Sequence, residues 1–578
     1  MSSVCEVTNA SGSGSCAQTS AQTGFLTTYT YDVLGGLTGV TQNAQAASAS
    51  QQTRTYTFDM LGRTLTEQNP ETGSITYVYD SWDSACTGGP YSSPGDLVEK
   101  KDAMSNVTCM KYDALHRVTQ TTYPSGPYAS ATPTRCYVYD KATVNSISMT
   151  NAETRLAEAY TTSASSCTGT VTVDEGFSYS ARGEMSDVWE KTPHSSGYYH
   201  VNATYWAHGR LDVLNGGTSP LPGLPKITYG ASDGSGIDGK GRITKVAAAS
   251  GQNPVNSISW NAGNQITAVT FGSSDNDAYQ FDPNTGRMTQ YKFNMGTGPQ
   301  SQTGALTWNA NGTLQQMQIT DQINTANSQT CTYGHDDLTR ITSANCGSVW
   351  AQTFGLDPFG NLSKSGTASF QPTYTGASGT NTNPTNQYYN LPGGQSGVSN
   401  YYDSNGNLTS DKVNGTGHTY TWDADGNMLS TDGSTVTMIY DALDRMIEQT
   451  RGSSHTEIAY GPYGLKLALM NGQTLVNAFV KLPGGSRAVY GASGLAYYRH
   501  SDHLGSSRLA TTPSRTKYYD VAYAPYGEDY NGSGSTPDLA FTDENQDTVQ
   551  GGSPSWSSNL YDFMLREYPY CPWSLDIA

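Results

Sequence analysis

The sequence predicts an all-β protein built from many short turns, and three observations support this fold class. Tyr and Gly are abundant, at 40 and 62 of 578 residues, whereas only 14% of residues are charged and 35% are hydrophobic. Tyr and Thr favour strands, and Gly, Asn and Asp favour turns. A short phrase with an aromatic residue, Asp or Asn, and Gly recurs along the chain. The mixture is too polar for a solid two-layer core and too aromatic for a disordered chain.

The recurring phrase has the form aromatic, Asp or Asn, two loose positions, Gly, Arg or Asn, aliphatic. It is clear in YTWDADGNMLS at 420–430 and in YYDSNGNLTS at 401–410. Further copies begin at 31, 58, 112, 260, 281, 308, 356 and 440, and weaker ones at 179, 205, 333 and 460. Spacings of roughly 20 to 30 residues are typical of stacked supersecondary units.

Each copy predicts a hairpin turn between two strands. Its Asp accepts backbone N–H groups two or three residues on, and its Gly takes the positive-φ position. Its aromatic head is expected to stack on the equivalent ring of the next unit. Because no enzyme needs so many copies of one carboxylate, we expect a structural role. The predicted motif residues are Tyr31, Asp32, Asp59, Gly62, Arg63, Asp282, Gly286, Asp403, Gly406, Asp423, Gly426, Asp441, Asp502 and Gly505.

Two other segments carry local predictions. Asn471-Gly472 lies between two strand-like runs and predicts a two-residue hairpin turn. The stretch AETRLAEAY at 152–160 contains helix-forming residues, but it lacks an apolar helical period and its flanks are strand-like. We therefore expect a strand there.

Eight of the nine cysteines fall into neighbouring pairs along the chain. Each pair spans a stretch typical of a turn or hairpin, so local bridging is geometrically easy. Four such disulfides indicate an oxidising compartment, whereas free thiols in a cytosolic protein are the alternative. No pair has zinc-binding spacing, and Cys571 is left over. The candidate pairs are Cys5–Cys16, Cys86–Cys109, Cys136–Cys167 and Cys331–Cys346.

Charge and hydropathy limit the partners. The net charge is −18 and the isoelectric point is near 4.8, so the surface repels phosphate backbones and a nucleic-acid partner is not expected. No apolar run approaches the length of a membrane span. The N-terminus lacks the basic start and apolar stretch of a signal peptide, which suggests a start inside a longer protein.

Clusters of reactive side chains give only weak predictions. His500, Asp502 and His503 are metal-ligand types, but in an extended strand His503 points away from the other two. Ser506 and Ser507 lie in no nucleophile-elbow phrase. These patterns do not predict a metal or a catalytic serine.

The acidic stretch GSSDNDAYQFDPNTG at 272–286 is a candidate calcium loop. It lacks regular ligand spacing, so a solvated loop is expected instead. We predict no cofactor and no metal, and we do not expect the chain to be an enzyme.

The repeated phrase resembles the YD repeat of bacterial Rhs proteins, which toxin-complex C components and animal teneurins share. This resemblance runs from about residue 31 to about residue 563. A second match resembles the Rhs-associated core segment. Its parts are YYRHSDHLGSSRLATTPS (497–514), YAPYGEDY (523–530), FTDENQDT (541–548) and NLYDFMLREY (559–568).

The resemblance implies a β-sheet that spirals into a hollow shell around a C-terminal toxin, with the core segment as a plug at one end. The implied parts are an N-terminal fragment at 1–30, the YD-repeat shell at 31–490, the plug at 491–568 and a divergent tail at 569–578. A wall one sheet thick has two wet faces and little dry core. Strand pairing and aromatic stacking would then stabilise it.

The tail departs from the family pattern. After Tyr568 the sequence is PYCPWSLDIA, where relatives continue with a GRW–SPDP-like stretch, self-cleavage and a variable toxin. Asp576 matches no family motif and receives no protease role. The toxin partner of the relatives is therefore not expected in this chain.

Three functions fit the sequence. The first is a container for a toxin, located outside the cell or at its surface. The second is an adhesion module that binds surface glycans through exposed Tyr and Trp, and the third is a truncated or degenerate copy. A closed lumen would indicate the container and an exposed aromatic patch the adhesin. A propeller is the alternative fold, but its blades are longer and more even than these repeats.

Overall fold

The protein is described here from a computed structural model. It covers residues 1–9, 23–86, 90–230, 235–296, 300–367, 369–377, 383–394, 396–413, 416–527 and 529–534, with the strand segments 545–546, 560–563 and 566–569. Strands dominate, and the described residues add five short 3-10 turns and no α-helix. The all-β prediction is confirmed. Within those ranges, no helix has the length and apolar character needed to cross a membrane.

The first sheet has 27 strands that pair antiparallel with their neighbours in the chain, so it is one long meander. Its strands are β1 (Ser3–Asn9), β2 (Thr23–Tyr31), β3 (Leu37–Gln42), β4 (Gln52–Phe58), β5 (Thr64–Asn69), β6 (Gly73–Ser81), β7 (Ser92–Lys101), β8 (Val107–Tyr112), β9 (Val118–Ser125), β10 (Thr134–Tyr139), β13 (Leu156–Thr162), β14 (Val171–Tyr179), β15 (Met185–Lys191), β16 (Tyr199–Tyr205), β17 (Leu211–Leu214), β18 (Ile227–Tyr229), β19 (Val246–Ala248), β20 (Val255–Trp260), β21 (Ile266–Phe271), β22 (Asn276–Phe281), β23 (Met288–Met295), β24 (Gln300–Trp308), β25 (Leu314–Asp321), β26 (Gln329–His335), β27 (Ile341–Asn345), β28 (Ala351–Leu356) and β29 (Leu362–Gly366). A hairpin of β11 (Thr143–Val144) and β12 (Ile147–Ser148) lies outside this sheet.

The second sheet is a 13-stranded antiparallel meander. Its strands are β32 (Ser410–Val413), β33 (Thr416–Trp422), β34 (Met428–Thr431), β35 (Val436–Tyr440), β36 (Met446–Arg451), β37 (Ser454–Tyr460), β38 (Lys466–Asn471), β39 (Thr474–Lys481), β40 (Arg487–Gly491), β41 (Gly494–Ser501), β42 (Ser507–Thr511), β43 (Lys517–Tyr523) and β44 (Asp529–Gly534). Smaller pairings involve β30 (Thr373–Tyr374) with β31 (Tyr388–Asn390), and β45 (Asn545–Gln546), β46 (Leu560–Phe563) and β47 (Arg566–Pro569). Among the described strands, neither large sheet pairs its first strand with its last.

Two local predictions can be compared with the strands. The stretch 152–160 forms a turn and then β13, which begins at Leu156, as the strand expectation required. In the β38–β39 hairpin, Asn471 pairs with Thr474, so the two loop residues are Gly472 and Gln473. The predicted turn is therefore wrong by one residue, because Gly472, with φ of 54°, takes the first loop position.

The second sheet lies along the first in the same chain order. Side-chain hydrogen bonds join the two sheets at several points. Along these bonds the residue number rises in both partners, from 102 to 302 on one side and from 405 to 520 on the other. The bonded pairs are Asp102 with Asn405, Tyr137 with Ala442, Tyr199 with Gly472, Tyr229 with Lys481, Tyr279 with Gly484 and Gln302 with Asp520. The second sheet therefore packs on the first in the same order along the chain.

The largest apolar core lies between the two sheets. Tyr291 and Phe293 of the first sheet and Tyr498 and Leu509 of the second are fully buried in it. The rings of Phe271 and Tyr498 lie 4.8 Å apart. The expectation of a wall one sheet thick with little dry core is wrong here, because Tyr, Phe, Met and Ala from two layers pack together.

Strands near the end of the second sheet are buried on both faces. In β41, Tyr498 and His500 pack on the first sheet, whereas Tyr497 belongs to a separate cluster with Phe479 and Tyr519. Alternate residues of a strand point to opposite faces, so both faces are covered. Pairing also runs without a break through β40, which contains the predicted boundary at 490 and 491. That boundary and the other domain limits stay predictions.

Three disulfides join hairpins of the first sheet. They link Cys86 to Cys109, Cys136 to Cys167 and Cys331 to Cys346, with Cα–Cα distances of 5.8, 5.8 and 4.0 Å. Two other calls on cysteine, the Cys5–Cys16 pair and the leftover Cys571, depend on residues outside the described ranges, because Cys16 and Cys571 are not among them.

Candidate functional site

The turn motif recurs along the chain, and the copy at Asp59 shows which hydrogen bonds hold it. Asp59 Oδ1 accepts the N–H groups of Leu61 and Arg63 at 2.8 and 2.9 Å, and Oδ2 accepts Arg63 Nε–H at 2.7 Å. The Gly62 N–H donates to the Asp59 carbonyl at 3.0 Å. These bonds lower the pKa of Asp59, the Arg63 N–H most of all. One carboxylate thus satisfies the open backbone donors of the turn.

The same construction is repeated along both sheets, with acceptor contacts two and four residues on rather than the predicted two or three. The Asp residues that make both contacts are Asp32, Asp59, Asp113, Asp238, Asp336, Asp357, Asp403, Asp423, Asp441 and Asp502. Asp282 differs because its turn has one extra residue, and it accepts the N–H groups of Asn284 and Thr285.

The fourth residue of the turn has left-handed backbone geometry. Gly62, Gly406, Gly426 and Gly505 have φ between 78° and 89°, and Gly286 in the longer turn has φ of 70°. Non-glycine residues occupy the position in other copies, where Asp444 has φ of 65° and His116 has φ of 61°. The turn requires the conformation, and glycine is its least strained occupant.

Arginine at the fifth position links its turn to the next hairpin. The Arg63 guanidinium donates two bonds of 2.9 Å to the carboxylate of Asp80 and lies 4.5 Å from the centre of the Tyr79 ring. It lowers the pKa of Asp80 to about 2. The same set recurs one unit later with Arg117, Asp140 and Tyr139. Sequence reasoning treated Arg63 only as a turn-former, although the Tyr-Asp pair that follows each Arg was a visible signal.

The aromatic heads hold successive units together by hydrogen bonds. Tyr440 Oη donates to the Met428 carbonyl at 2.9 Å, and Trp422 Nε1 donates to the Leu408 carbonyl at 2.7 Å. In both cases the acceptor is the aliphatic residue that ends the preceding turn motif. The same bond joins Tyr179 to Leu156, Tyr205 to Met185, Trp260 to Ile243, Trp308 to Met288, Tyr374 to Leu362 and Tyr460 to Met446. These bonds and the arginine contacts take the place of the predicted ring-on-ring stacking in these units. Tyr31 instead donates to the Met1 carbonyl.

Between the sheets, turn residues of the second sheet bind charged groups of the first. Arg445 pairs with Asp441 of its own turn at 2.6 Å and with Glu175 of β14, and all three are buried. Glu190 of β15 is buried beside them, and burial raises its pKa to about 8. Burial likewise raises the pKa of Glu175. Glu190 therefore keeps its proton at neutral pH.

A second buried arginine repeats this arrangement. Arg135 of β10 contacts Asp425 and Asp444, from two successive turns of the second sheet, at 2.5 Å each. Tyr123 also donates to Asp425. The turns therefore serve both as hairpin closures and as the contact points of the second layer.

His500, Asp502 and His503, for which the sequence predicted no metal site, lie in three different surroundings. His500 is buried between Asp277 at 2.7 Å and Thr511 at 2.9 Å, and Asp502 closes a turn. His503 stacks near Tyr291, and burial lowers its pKa.

The two serines beside this triplet are also structural. Ser506 donates its backbone N–H to Asp502, and the buried Ser507 Oγ accepts a bond of 3.0 Å from Arg499 Nε. Another group of metal-ligand types, His194, Glu448 and His455, does converge.

The acidic stretch 272–286 is not the solvated loop that was expected. Asp275 and Asp277 are fully buried and belong to the contact between the sheets. Asp275 accepts a bond of 2.9 Å from Arg515 Nε, and Asp277 binds His500 and Ser486. Because their carboxylates bind separate partners, they do not form a calcium loop.

Exposed aromatic side chains are scarce in the described part of the chain. Tyr31 and Tyr463 are more than a third exposed, at 46% and 61%, and they lie far apart in sequence. Tyr463 Oη also accepts the Met185 N–H at 3.0 Å. The adhesin alternative predicted an exposed aromatic patch, and these two side chains are its candidates among the described residues.

The sequence and the fold were compared with those of known proteins. No protein-family model and no curated protein matches the sequence. Among solved structures, the crystal structures of TcdB2-TccC3-Cdc42 and TcdB2-TccC3 match 96% of this chain with TM-scores of 0.67 and 0.66, at 15% and 14% identity. The pore form of the Photorhabdus luminescens Tc holotoxin with a TccC3 mutation matches with a TM-score of 0.68 at 14% identity. The chain has the fold of the TcdB2-TccC3 toxin structures.

The likeness extends over nearly the whole chain but over only 28 to 29% of those larger chains. It confirms, at the level of the fold, the resemblance to toxin-complex YD-repeat proteins that the turn motif indicated.

Proposed function

We propose that the chain is a wall segment of an encapsulating shell that holds a toxin cargo. In this proposal the two sheets are successive turns of one spiral around a lumen, and residues 491–568 close one end as a plug. The observation that supports it most is the ordered contact between the sheets, seen in a chain with the TcdB2-TccC3 fold. A β-structural, toxin-related role rests on that fold alone, whereas the lumen, the plug and the cargo are the proposal.

The side-chain chemistry fits a container better than an enzyme. The repeated aspartates already bind backbone N–H groups, so they are occupied by the turn. The buried charges between the sheets are engaged with one another. The proposed chain therefore performs no chemistry, and its acidic surface keeps it soluble while it carries cargo.

We further propose that the shell works outside the cell. The three disulfides close short loops of the first sheet and need an oxidising compartment to persist. Mass mapping of the secreted protein without reductant should recover the three cystine-linked peptides. Free thiols at all three pairs in that material would contradict this location.

A protease-protection assay tests the container role. An unstructured, trypsin-sensitive polypeptide is fused after Ala578 and digested as part of the intact chain. The control is the same polypeptide mixed with the unfused chain. A shell should slow digestion of the fused polypeptide while the mixed one is cut quickly.

Equal digestion in both samples would contradict the container. The competing adhesin role has its own readout, because a glycan array probed with the same chain should then show saturable binding. That binding should fall after Tyr463→Ala, the more exposed of the two aromatic residues.

A further inference from the structure

Three potential metal ligands from both sheets meet where the loop after β15 reaches the β36–β37 hairpin. His194 Nδ1 lies 2.6 Å from Glu448 Oε1, and His455 Nδ1 lies 3.7 Å from the same oxygen. The two imidazole rings are stacked, with centroids 3.5 Å apart and an angle of 10° between their planes. Imidazole nitrogen and carboxylate oxygen together are typical ligands of zinc.

The loop that carries His194 is fixed in place before any ion binds. Ser195 Oγ accepts the Thr192 N–H at 3.1 Å and donates to the Gly197 carbonyl at 2.7 Å. Gln473 Nε2, from the second sheet, donates to the Ser195 carbonyl at 2.6 Å. Such second-layer bonds hold a ligand in position and reduce the ordering needed on binding.

The surroundings of Glu448 call for a cation. Glu448 is fully buried and lies directly across the β36–β37 pair from Glu457, which is also fully buried. Glu457 Oε2 accepts the Gly472 N–H, but its Oε1 is buried without a hydrogen-bond partner. Two facing carboxylates of this kind are costly unless a positive charge lies beside them.

Two imidazoles beside Glu448 can hold such a cation. His194 and His455 bring ring nitrogens within 4.8 Å of each other and of the Glu448 carboxylate. A divalent ion bound there places positive charge next to the two facing carboxylates.

We propose that His194, Glu448 and His455 form a zinc site that links the first sheet to the second. Tetrahedral zinc with bonds of about 2.0–2.1 Å needs ligand atoms about 3.3 Å apart. The two Nδ1–Oε1 distances, 2.6 and 3.7 Å, lie on either side of this value. Because the lone pairs of two stacked rings cannot both point at one ion, one ring must turn out of the stack, and His455 must give up its bond of 2.9 Å to Thr450 Oγ1. The His194 and His455 side chains are 45% and 31% exposed, which permits these shifts and leaves the fourth position open to water.

Calorimetry on the purified chain, freed of metal by a chelator and titrated with ZnCl₂, tests the site. The intact chain should bind one zinc ion, and MgCl₂ should not compete, because Mg²⁺ prefers all-oxygen ligands. His455→Asn and Glu448→Gln should each weaken binding by about tenfold or more. His208→Asn, at an exposed histidine outside the group, is the matched control and should bind as the unchanged chain does.

X-ray absorption at the zinc edge and melting curves give readouts independent of affinity. The zinc-loaded chain should show nitrogen and oxygen ligands at about 2.0 Å, and zinc should raise the melting temperature of the unchanged chain but not of His455→Asn. His455 is on the surface, so this variant should fold even where Glu448→Gln does not. Absence of stoichiometric zinc binding, or unchanged binding by His455→Asn, would overturn the site.

Discussion

The same turn is used in two opposite surroundings in this molecule. In the first sheet near its start, the turn tips at Met60, Leu61 and Leu115 are 94%, 78% and 65% exposed. In the second sheet, the equivalent tip residues Ala424 and Ala442 are buried against the first sheet. The motif therefore specifies how the hairpin closes. The two residues between its Asp and its Gly can vary, and their type differs between turns exposed to solvent and turns packed against the other sheet.

The two regions also differ in what stabilises them. Strands β4 to β6 form a bare layer in which Gln52 is the one fully buried residue. Their stability comes from strand pairing, turn bonds and cross-strand contacts, each worth about 0.2–1 kcal/mol. Between β20–β24 and β38–β42 a second sheet covers the first, and apolar burial and buried ion pairs add to the same pairing.

Removal of the arginine at the fifth turn position should lower the free energy of unfolding most where the second sheet packs on the first. Arg445→Met leaves Glu175 and Asp441 buried without their cation and should lower the free energy of unfolding by about 3–5 kcal/mol. The matched change Arg63→Met, at the same motif position in the bare layer, should cost much less, because water reaches its carboxylate partners. Urea unfolding followed region by region with hydrogen exchange measures both, and similar losses would contradict the distinction.

Removal of a buried aromatic ring should also lower the free energy of unfolding more than removal of a half-buried one. Phe293→Ala removes a fully buried side chain from the core between the sheets and should cost about 3–5 kcal/mol. Phe58→Ala removes a half-buried ring from the bare layer and should cost about 1 kcal/mol. The same unfolding experiment reports both values, and an equal cost would mean that the first region is covered too.

The free energy of unfolding should fall as pH rises, because carboxyl groups buried in the folded protein hold protons. Glu190 has a folded-state pKa of about 8, and an unfolded glutamate titrates near 4.3. Between these values the folded chain holds a proton that the unfolded chain has released, so raising pH from 5 to 8 lowers the free energy of unfolding by about 3–4 kcal/mol. Glu158, with a pKa of about 7, acts in the same direction.

The variant Glu190→Gln should flatten this pH dependence, since it carries no titrating proton. Melting temperatures of both proteins from pH 5 to pH 8 provide the comparison. A rise in stability with pH in the unchanged chain would show that the buried carboxylates are ionised.

Turn substitutions should cost less than the loss of Arg445 or Phe293, and their cost should be similar in both regions. Gly62→Val and Gly426→Val each force a β-branched residue to φ near 80° and should cost about 1–2 kcal/mol. No atom lies within 4 Å of the space that a side chain at residue 62 would occupy, so strain is the cause rather than a clash. Gly62→Asn should cost less, because Asn tolerates the left-handed region. Melting curves that do not change for both Val variants would contradict the turn geometry.

Local sequence was sufficient to predict the turns but not the layers. Asp59, Gly62 and Arg63 lie within five residues, so their hydrogen bonds follow from spacing alone. The Arg445–Glu175 pair spans 270 residues and the His194–Glu448 pair 254. No periodicity in one sequence encodes such separations, because they depend on how the second sheet packs on the first.

The burial of Asp275 and Asp277 escaped prediction for the same reason. An acidic stretch is expected to be solvated unless a partner is known, and their partners Arg515 and His500 come from the second sheet. The proposed zinc ligands were hidden in the same way, because His194 lies 254 residues before Glu448 in the sequence. Non-local contacts of this kind require the fold itself.

A density map of the purified chain from single-particle electron microscopy tests the central claim most directly. We expect a curved wall around an empty lumen, two sheets thick where β20–β24 meet β38–β42 and one sheet thick at β4–β6. A filled, flat sandwich without a cavity would contradict the proposed shell, and a uniform single layer would contradict the winding of the second sheet over the first.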